Sequence, residues 1–163
     1  MNYKGLLLVL CLATSAQSRE TFSGQVSYVT DGDTLWVQPD GAGKALPVRI
    51  EGIDAPEICQ QGGTAARDLL AQLTLHRRVT VRVAQYDQWG RALATLNLDG
   101  RDLGAQMVRA GQAWSYGWRG RPGRYAAEEV FARQSQQGLF AAADPESPRD
   151  FRKRHGSCRV SKR

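Results

Sequence analysis

Apolar and polar residues alternate along five short stretches of this chain, the period expected of β-strands. The stretch 79–83, for example, reads Val-Thr-Val-Arg-Val. The predicted strands are 22–29, 34–37, 46–53, 79–83 and 92–98. In the third of these the alternation is imperfect, because Ile53 falls on the same side as Arg49.

Three other stretches place their apolar residues at helical spacing. The predicted helices are 64–75, 102–110 and 125–136. Thr64 is the expected N-cap of the first helix. In the third helix Val130 and Phe131 are expected to point inward.

Five short strands, with a helix between the third and the fourth, predict a mixed α+β fold built on a curled sheet. The length of 163 residues suits a single domain, which we place at 20–142. Residues 143–163 are rich in Pro, Arg and Lys and poor in apolar residues. We therefore expect them to form a basic, flexible tail.

The first 18 residues have the composition of a secretory signal peptide. Lys4 precedes a short apolar run, 6–13, and Ala16-Gln17-Ser18 places small residues at a cleavage site. The run is too short for a good membrane span. We expect cleavage after residue 18 and a secreted or periplasmic protein without stable membrane insertion. An uncleaved N-terminal anchor is the alternative.

The chain is basic, with 22 Lys and Arg residues against 16 Asp and Glu and a net charge of +6. Loss of residues 1–18 would remove Lys4 and no acid, and so lower this charge by one. A basic protein favours polyanionic partners through long-range attraction and counterion release. The charge could equally serve solubility alone, so it does not select a nucleic acid by itself.

Histidine and cysteine do not predict a zinc site, because His76 and His155 are far apart and no Cys-x-x-Cys occurs. Carboxylates and arginines gather instead in three motifs: Asp31-Gly32-Asp33-Thr34, the segment 49–57, and Trp89-Gly90-Arg91. Carboxylates hold hard cations such as Ca²⁺ or Mg²⁺, and arginines clamp phosphate. Together they suit phosphodiester chemistry, in which charge develops around phosphorus.

These motifs, in this order and at compatible spacing, resemble the staphylococcal nuclease (thermonuclease) family. The resemblance runs from about Phe22 to about Ala142. It implies a five-stranded Greek-key β-barrel of the OB type with about three helices. It also implies a calcium-dependent nuclease.

By this resemblance Asp33, Asp54 and the backbone carbonyl of Ala55 bind Ca²⁺, with Mg²⁺ the less favoured cation. The family often has threonine where this chain has Ala55, so a hydroxyl contact is lost. Glu57, aimed by Pro56, would orient the attacking water, and its role as a general base is left open. Taken singly, each aspartate could be an ordinary turn residue and Glu57 an exposed loop residue.

Arg49 and Arg91 would clamp the phosphate, although either could instead form a surface salt bridge. Trp89 stands where tyrosine is frequent in the family and offers a ring for stacking on a base. Tyr116 and Trp118, with arginines close behind, are the further candidates for substrate binding. Packing in the core is the alternative for one or two of Trp114, Tyr116 and Trp118.

The function that these residues favour is a secreted, calcium-dependent nuclease that hydrolyses DNA and RNA and acts as a monomer. A non-catalytic OB-fold nucleic-acid-binding module is the alternative, and a secreted scaffold for other polyanions is a third. The complete set of acids and arginines argues against the binding module. Cleavage that depends on a divalent cation separates the first from the others.

Two cysteines, Cys59 and Cys158, remain once residues 1–18 are removed. In an oxidising compartment they would form a disulfide. The bond would tie the basic tail beside the loop that carries Glu57 and hold Arg152, Lys153 and Arg154 near bound nucleic acid. Two free thiols, or pairing between molecules, are the alternatives.

Overall fold

Most of the secondary structure belongs to five long strands and four helices. The computed structural model describes residues 20–41, 43–118 and 120–158. The strands are β1 (Thr21–Val29), β2 (Thr34–Pro39), β3 (Leu46–Ile50), β4 (Ile53–Asp54), β5 (Arg78–Tyr86), β6 (Ala92–Leu98), β7 (Arg101–Asp102) and β8 (Trp114–Ser115). The helices are α1 (Gly63–Thr74), α2 (Leu103–Arg109), α3 (Ala126–Gln134) and α4 (Pro148–His155), with a 3₁₀ turn at Gly138–Ala141. The predicted signal peptide, 1–18, lies outside the described residues.

The long strands close into a barrel. Their order is β3-β2-β1-β5-β6, and each neighbouring pair is antiparallel. The barrel closes where β3 runs parallel to β6, with Val48 opposite Ala92 and Ile50 opposite Ala94. The predicted α+β class and five-stranded barrel are confirmed, and the described residues form four helices rather than about three.

The barrel interior holds the side chains that the alternating pattern turns inward. Val26, Val37, Val48, Val81 and Leu96 are almost fully buried there. Leu70 of α1 and Met107 of α2 join the same core. Burial of one such side chain contributes roughly 1.5–3 kcal/mol, so the periodicity that predicts the strands also supplies their stability.

The predicted strand 46–53 is interrupted. β3 ends at Ile50, and residues 51–52 form a turn before β4 begins at Ile53. Gly52 has φ = 81°, a backbone conformation that favours glycine. The turn resets the alternation, which explains why Ile53 is buried although it falls on the side of Arg49 in the sequence pattern.

Two details of the predicted helices are wrong. α1 begins at Gly63, after the N-cap residue Gly62, and has no side-chain cap from Thr64. In α3 Val130 and Phe131 are exposed, whereas Ala132 is buried. The guanidinium of Arg109 lies 3.6 Å from the centre of the Phe131 ring and covers it from outside the core.

The predicted flexible tail contains a helix. Ser147 caps α4 by accepting a hydrogen bond from the backbone N–H of Asp150, and Pro148 occupies its first turn. Cys158 forms a disulfide with Cys59, with 5.9 Å between their Cα atoms. Residues 148–158 are thus joined to the barrel instead of trailing from it. Among the described residues, no helix is long and apolar enough to span a membrane.

Candidate active site

Asp33 is held in the turn between β1 and β2. Its backbone N–H donates to Asp31 Oδ1 at 3.1 Å, and its carbonyl accepts from the N–H of Ile50 at 2.8 Å. Its side-chain Oδ1 accepts from the hydroxyl of Thr34 at 2.9 Å. The Asp-Gly-Asp-Thr motif therefore fixes one carboxylate against the end of β3.

Asp54 lies in β4, immediately after the Gly52 turn, and pairs with Trp114 of β8. Asp54 is only 5% exposed and Asp33 only 3%. Ordinary turn aspartates lie in water, whereas a buried carboxylate must be paired to remain charged. Their burial therefore argues against the reading of both as simple turn residues.

Arg49, on β3, joins the two aspartates. A single nitrogen, Nη2, lies 2.9 Å from Asp33 Oδ2 and 3.1 Å from Asp54 Oδ1. Two carboxylate oxygens thus converge on one point that already holds positive charge. The described residues contain no cluster of three or more His, Cys, Asp or Glu side chains arranged for a metal. The pair instead fits a hard cation that takes its other ligands from backbone, water or substrate oxygens.

Burial and neighbouring charges both shift the pKa values of the acids and of Arg49. Burial, with the charge of Asp33 beside it, raises the pKa of Asp31 to about 7. Burial also raises the pKa of Asp54, although hydrogen bonds and charge from Arg152 oppose this effect. Burial lowers the pKa of Arg49, but the charges of Asp33 and Asp54 outweigh it and raise that pKa overall. The arginines thus favour the ionised acids that a cation needs.

Ala55 and Glu57 follow Asp54 along the chain. The backbone N–H of Ala55 donates to Asp33 Oδ2 at 3.2 Å, which ties the two acidic motifs together. The contact involves the amide, and the role predicted for the Ala55 carbonyl stays a prediction. The backbone N–H of Glu57 donates to Gln60 Oε1 at 3.2 Å, so Gln60, itself only 7% exposed, fixes the loop.

A second guanidinium, from Arg152 of α4, completes the cluster. Its Nη2 lies 2.9 Å from Asp54 Oδ2, and its Nη1 lies 3.2 Å from Asp54 Oδ1 and 3.0 Å from Glu57 Oε1. Glu57 is therefore part of the site and not an isolated loop residue. The structure brings together Asp33, Arg49, Asp54, Glu57 and Arg152.

The structure records no contact between Arg91 and this cluster. Its Nε donates to Asp87 Oδ2 at 2.7 Å, and Asp87 Oδ1 accepts the backbone N–H groups of Trp89 and Arg91, each at 2.9 Å. Asp87 thus organises the turn that carries the Trp-Gly-Arg motif. Arg91 immediately precedes Ala92, the first residue of β6. Ala92 pairs with Val48, the neighbour of Arg49 in β3. The motif is thereby placed next to the strand that carries Arg49.

The three aromatic residues predicted to bind substrate are exposed. Trp89 is 70% exposed, Tyr116 48% and Trp118 63%. Tyr116 and Trp118 are therefore not core residues, whereas Trp114 is half-buried and packs edge-on against Phe140, with 5.5 Å between the ring centres. Arg119 lies outside the described residues. Whether these rings bind a base stays a prediction.

Sequence reasoning missed three contributors, and two of them have a local signal. Asp87 stands four residues before Arg91, within reach of its side chain. Ser147-Pro148 followed by Asp150 is a helix-start pattern that the tail's composition obscured. Gln60 carries no signal that could be read from the sequence.

A closed barrel that presents buried acids with arginines beside its β1–β2 turn defines an OB-fold protein with a charged site suited to phosphate. Comparison with protein families makes the assignment specific, because residues 47–142 match the model described as staphylococcal nuclease homologue. The chain belongs to this family of nucleases. The predicted family and OB-type barrel are confirmed.

Three relatives with similar sequences carry the name endonuclease or nuclease. An uncharacterized endonuclease of Escherichia coli O157:H7 is 37% identical over 138 residues, covering 80% of this chain and 85% of the relative. A micrococcal nuclease of Shigella flexneri is 31% identical over 161 residues, covering 92% and 91%. An uncharacterized endonuclease of Haemophilus influenzae is 31% identical over 147 residues, covering 90% and 82%.

Proposed function

We propose that this protein is an exported, calcium-dependent endonuclease that hydrolyses phosphodiester bonds of DNA and RNA. One observation carries the proposal. The oxygens of two buried aspartates, Asp33 and Asp54, converge on a single cationic nitrogen of Arg49. Such a pair holds positive charge in the interior of the site, where a phosphodiester needs its own charge offset.

The protein's residues have separate tasks in this proposal. Asp33 and Asp54, with the carbonyl of Ala55, hold the ion, and bound calcium offsets charge on the phosphate. Arg49 and Arg91 bind phosphate oxygens through their planar forks. Glu57, held by its loop and by Arg152, orients the water that attacks phosphorus. Magnesium also prefers oxygen ligands and is commonly held by one or two carboxylates with water and substrate phosphate, so cleavage assays with each metal decide between the two ions.

Charge and exposure support a nucleic-acid substrate. The chain carries a net charge of +6, and Trp89 and Tyr116 offer exposed rings for stacking on bases. Export is proposed from the signal-peptide pattern in residues 1–18, and the Cys59–Cys158 disulfide suits an oxidising compartment. The protein is proposed to act as a monomer, since one chain supplies every acid and arginine of the site.

The first prediction is that cleavage requires a divalent cation and is faster with Ca²⁺ than with Zn²⁺, because the donor set is entirely oxygen. Single- and double-stranded DNA and RNA should be incubated with Ca²⁺, Mg²⁺ or Zn²⁺ and with excess chelator. Replacement of Asp33 and Asp54 by Asn should remove several kcal/mol of transition-state stabilisation, or about 10³-fold in rate. Undiminished cleavage in chelator would refute the metal assignment.

Asp40→Asn is the matched control, because Asp40 is an exposed turn aspartate that pairs with Arg78. This variant should cleave normally. The same experiment tests the alternative of a non-catalytic binding module. That alternative requires the wild-type protein to bind nucleic acid without cleaving it under every cation condition.

A further inference from the structure

α4 brings Arg152 onto two residues of the site from outside the segment that matches the nuclease family. The match ends at residue 142, and Arg152 lies ten positions beyond it. Its guanidinium makes three contacts of 2.9–3.2 Å with Asp54 and Glu57. The side chain is 31% exposed, whereas that of Asp54 is 8% exposed. A bridge from one planar fork to two carboxylates fixes their separation and direction.

Two attachments, one at each end of α4, hold this helix beside Asp54 and Glu57. At its beginning, Gln60 Nε2 donates to the carbonyl of Glu146 at 2.8 Å. Beyond its end, Cys158 is bonded to Cys59 and its Sγ accepts the N–H of Cys59 at 3.1 Å. Both anchors lie on the loop immediately after Glu57. The helix is thus fastened at two points to the segment that its arginine contacts.

The geometry points to Arg152 as a positioning residue of the active site, held there by the Cys59–Cys158 disulfide, which sets Asp54 and Glu57 in register for cleavage. The inference rests on the proposed nuclease function. Arg152 acts through the two carboxylates, so its task differs from that of Arg49 and Arg91. The disulfide makes this positioning depend on the oxidation state of the protein.

The contacts favour positioning over blockage of the cation site. The point shared by Asp33 Oδ2 and Asp54 Oδ1 is occupied by Arg49, not by Arg152. Arg152 makes its closest contact with the other oxygen of Asp54, Oδ2, at 2.9 Å, and its contact with Oδ1 is longer, at 3.2 Å. A cation that replaces the Arg49 nitrogen can therefore leave the bridge from Arg152 to Glu57 intact.

The test compares Arg152→Gln and Arg152→Lys with Lys153→Gln. The last loses the same charge from the same helix, but Lys153 pairs with Asp150 and not with the site. With saturating Ca²⁺ and duplex DNA, Arg152→Gln should lower kcat at least about tenfold, because misplacing catalytic groups by an ångström costs on the order of 10²-fold. KM should change much less. Arg152→Lys should recover part of kcat, since a single ammonium can contact a carboxylate but cannot bridge both with a fork.

Reduction tests the role of the disulfide. Reductant should lower kcat of the wild type and should leave Arg152→Gln unchanged, because both changes remove the same bridge. A Cys59→Ser/Cys158→Ser variant should match the reduced wild type and ignore reductant. Circular dichroism confirms that each variant is folded at the assay temperature.

Calorimetric titration with Ca²⁺ supplies a readout independent of cleavage. Arg152→Gln should bind Ca²⁺ at least as tightly as the wild type, because a positive charge beside Asp54 is lost. Equal kcat in Arg152→Gln and Lys153→Gln, a rise in kcat, or loss of calcium binding in Arg152→Gln would each overturn the positioning role. If the wild type neither binds Ca²⁺ nor cleaves, the proposed function itself fails. These outcomes are therefore distinguishable.

Discussion

Arg49 and Arg91 are each fixed by salt bridges to aspartates, but the aspartates lie in different places. Arg49 forms salt bridges with the acids of the site, since its Nη2 lies between Asp33 and Asp54. Arg91 forms its salt bridge with Asp87, which lies outside the acidic cluster. Burial tends to raise the pKa of Asp87, but hydrogen bonds from Arg91 outweigh it and lower that pKa. Each guanidinium is fixed before substrate arrives, which lowers the entropy lost on binding.

At the residue scale, replacement of Arg49 or Arg91 by Lys should lower kcat by roughly 10²-fold or more, with a smaller change in KM. The substitution keeps the charge but removes the planar fork that matches phosphate oxygens in the transition state. Steady-state kinetics on one defined oligonucleotide measure both constants.

Arg78→Lys is the control for these substitutions. Arg78 lies on β5, is largely exposed and pairs with Asp40, so its replacement should leave kcat unchanged. Near-normal kcat in Arg91→Lys would mean that Arg91 serves only its salt bridge with Asp87. The same result in Arg49→Lys would remove Arg49 from the phosphate clamp.

Single residues also mark what the sequence could predict. The acids and arginines could be named because each lies in a short motif with its own chemistry. Their partners could not, because Arg49 meets Asp33 only after β2 and β3 pair, with Thr34 opposite Arg49. The amide of Ala55 meets Asp33 across 22 positions. Such contacts are set by the packing of elements and not by local spacing.

At the scale of elements, the β1–β2 turn and α1 meet closely at Gly32. A Cβ added there would lie 2.6 Å from Ala66 Cβ and 2.7 Å from Ala55 Cβ, closer than real Cβ atoms approach. The glycine is therefore required by the contact between two elements. It lets the turn that carries Asp33 rest directly on the residue that follows Asp54.

Gly32→Ala should therefore destabilise the protein by about 1–3 kcal/mol, the usual cost of overpacking. It should also weaken Ca²⁺ binding, because the turn that carries Asp33 must move away from Ala55. Urea unfolding and calorimetric titration measure the two effects. Gly43→Ala is the control, since nothing lies within 4 Å of a Cβ added at Gly43. Equal stability and calcium affinity in the two variants would contradict the prediction.

The predicted strands are correct where one face of the strand is buried. The predictions for α3 and α4 failed because apolar spacing does not set which residues of α3 face inward or where α4 lies. β5 and β6 follow the alternating pattern because their inward residues form the barrel core. α3 does not follow its apolar residues, since Ala132 packs inside while Phe131 stays out. α4 lacks an apolar face almost entirely, and its position depends on a cap, a disulfide and Arg152.

At the scale of the whole molecule, the disulfide closes a loop of 99 positions that contains β5, β6 and the helices α1 to α4, and leaves β1, β2 and β3 outside it. The chain-entropy model gives about 4–5 kcal/mol for a loop of this length. Cys59→Ser/Cys158→Ser should lose up to about this much of the free energy of unfolding. Denaturant titration with and without reductant measures the loss, and the double variant should not respond to reductant.

Intact-mass analysis under alkylating conditions gives the direct check on that bond. Without reductant, Cys59 and Cys158 should resist alkylation, and two freely alkylated thiols would refute the bond in solution. If the exported protein is cleaved as proposed, its mass should equal that of a chain that starts at Arg19. A mass that retains residues 1–18 would favour the uncleaved anchor.

The closed loop also bears on damage to the chain. The segment 142–144, between the 3₁₀ turn and α4, is exposed, as sites of proteolytic nicking usually are. A single cut there lies between Cys59 and Cys158, so the two fragments stay covalently joined. α4 would still be fastened beside Glu57 through Cys158, three residues beyond its end. The molecule would lose the continuity of its backbone yet keep the connectivity of its active site.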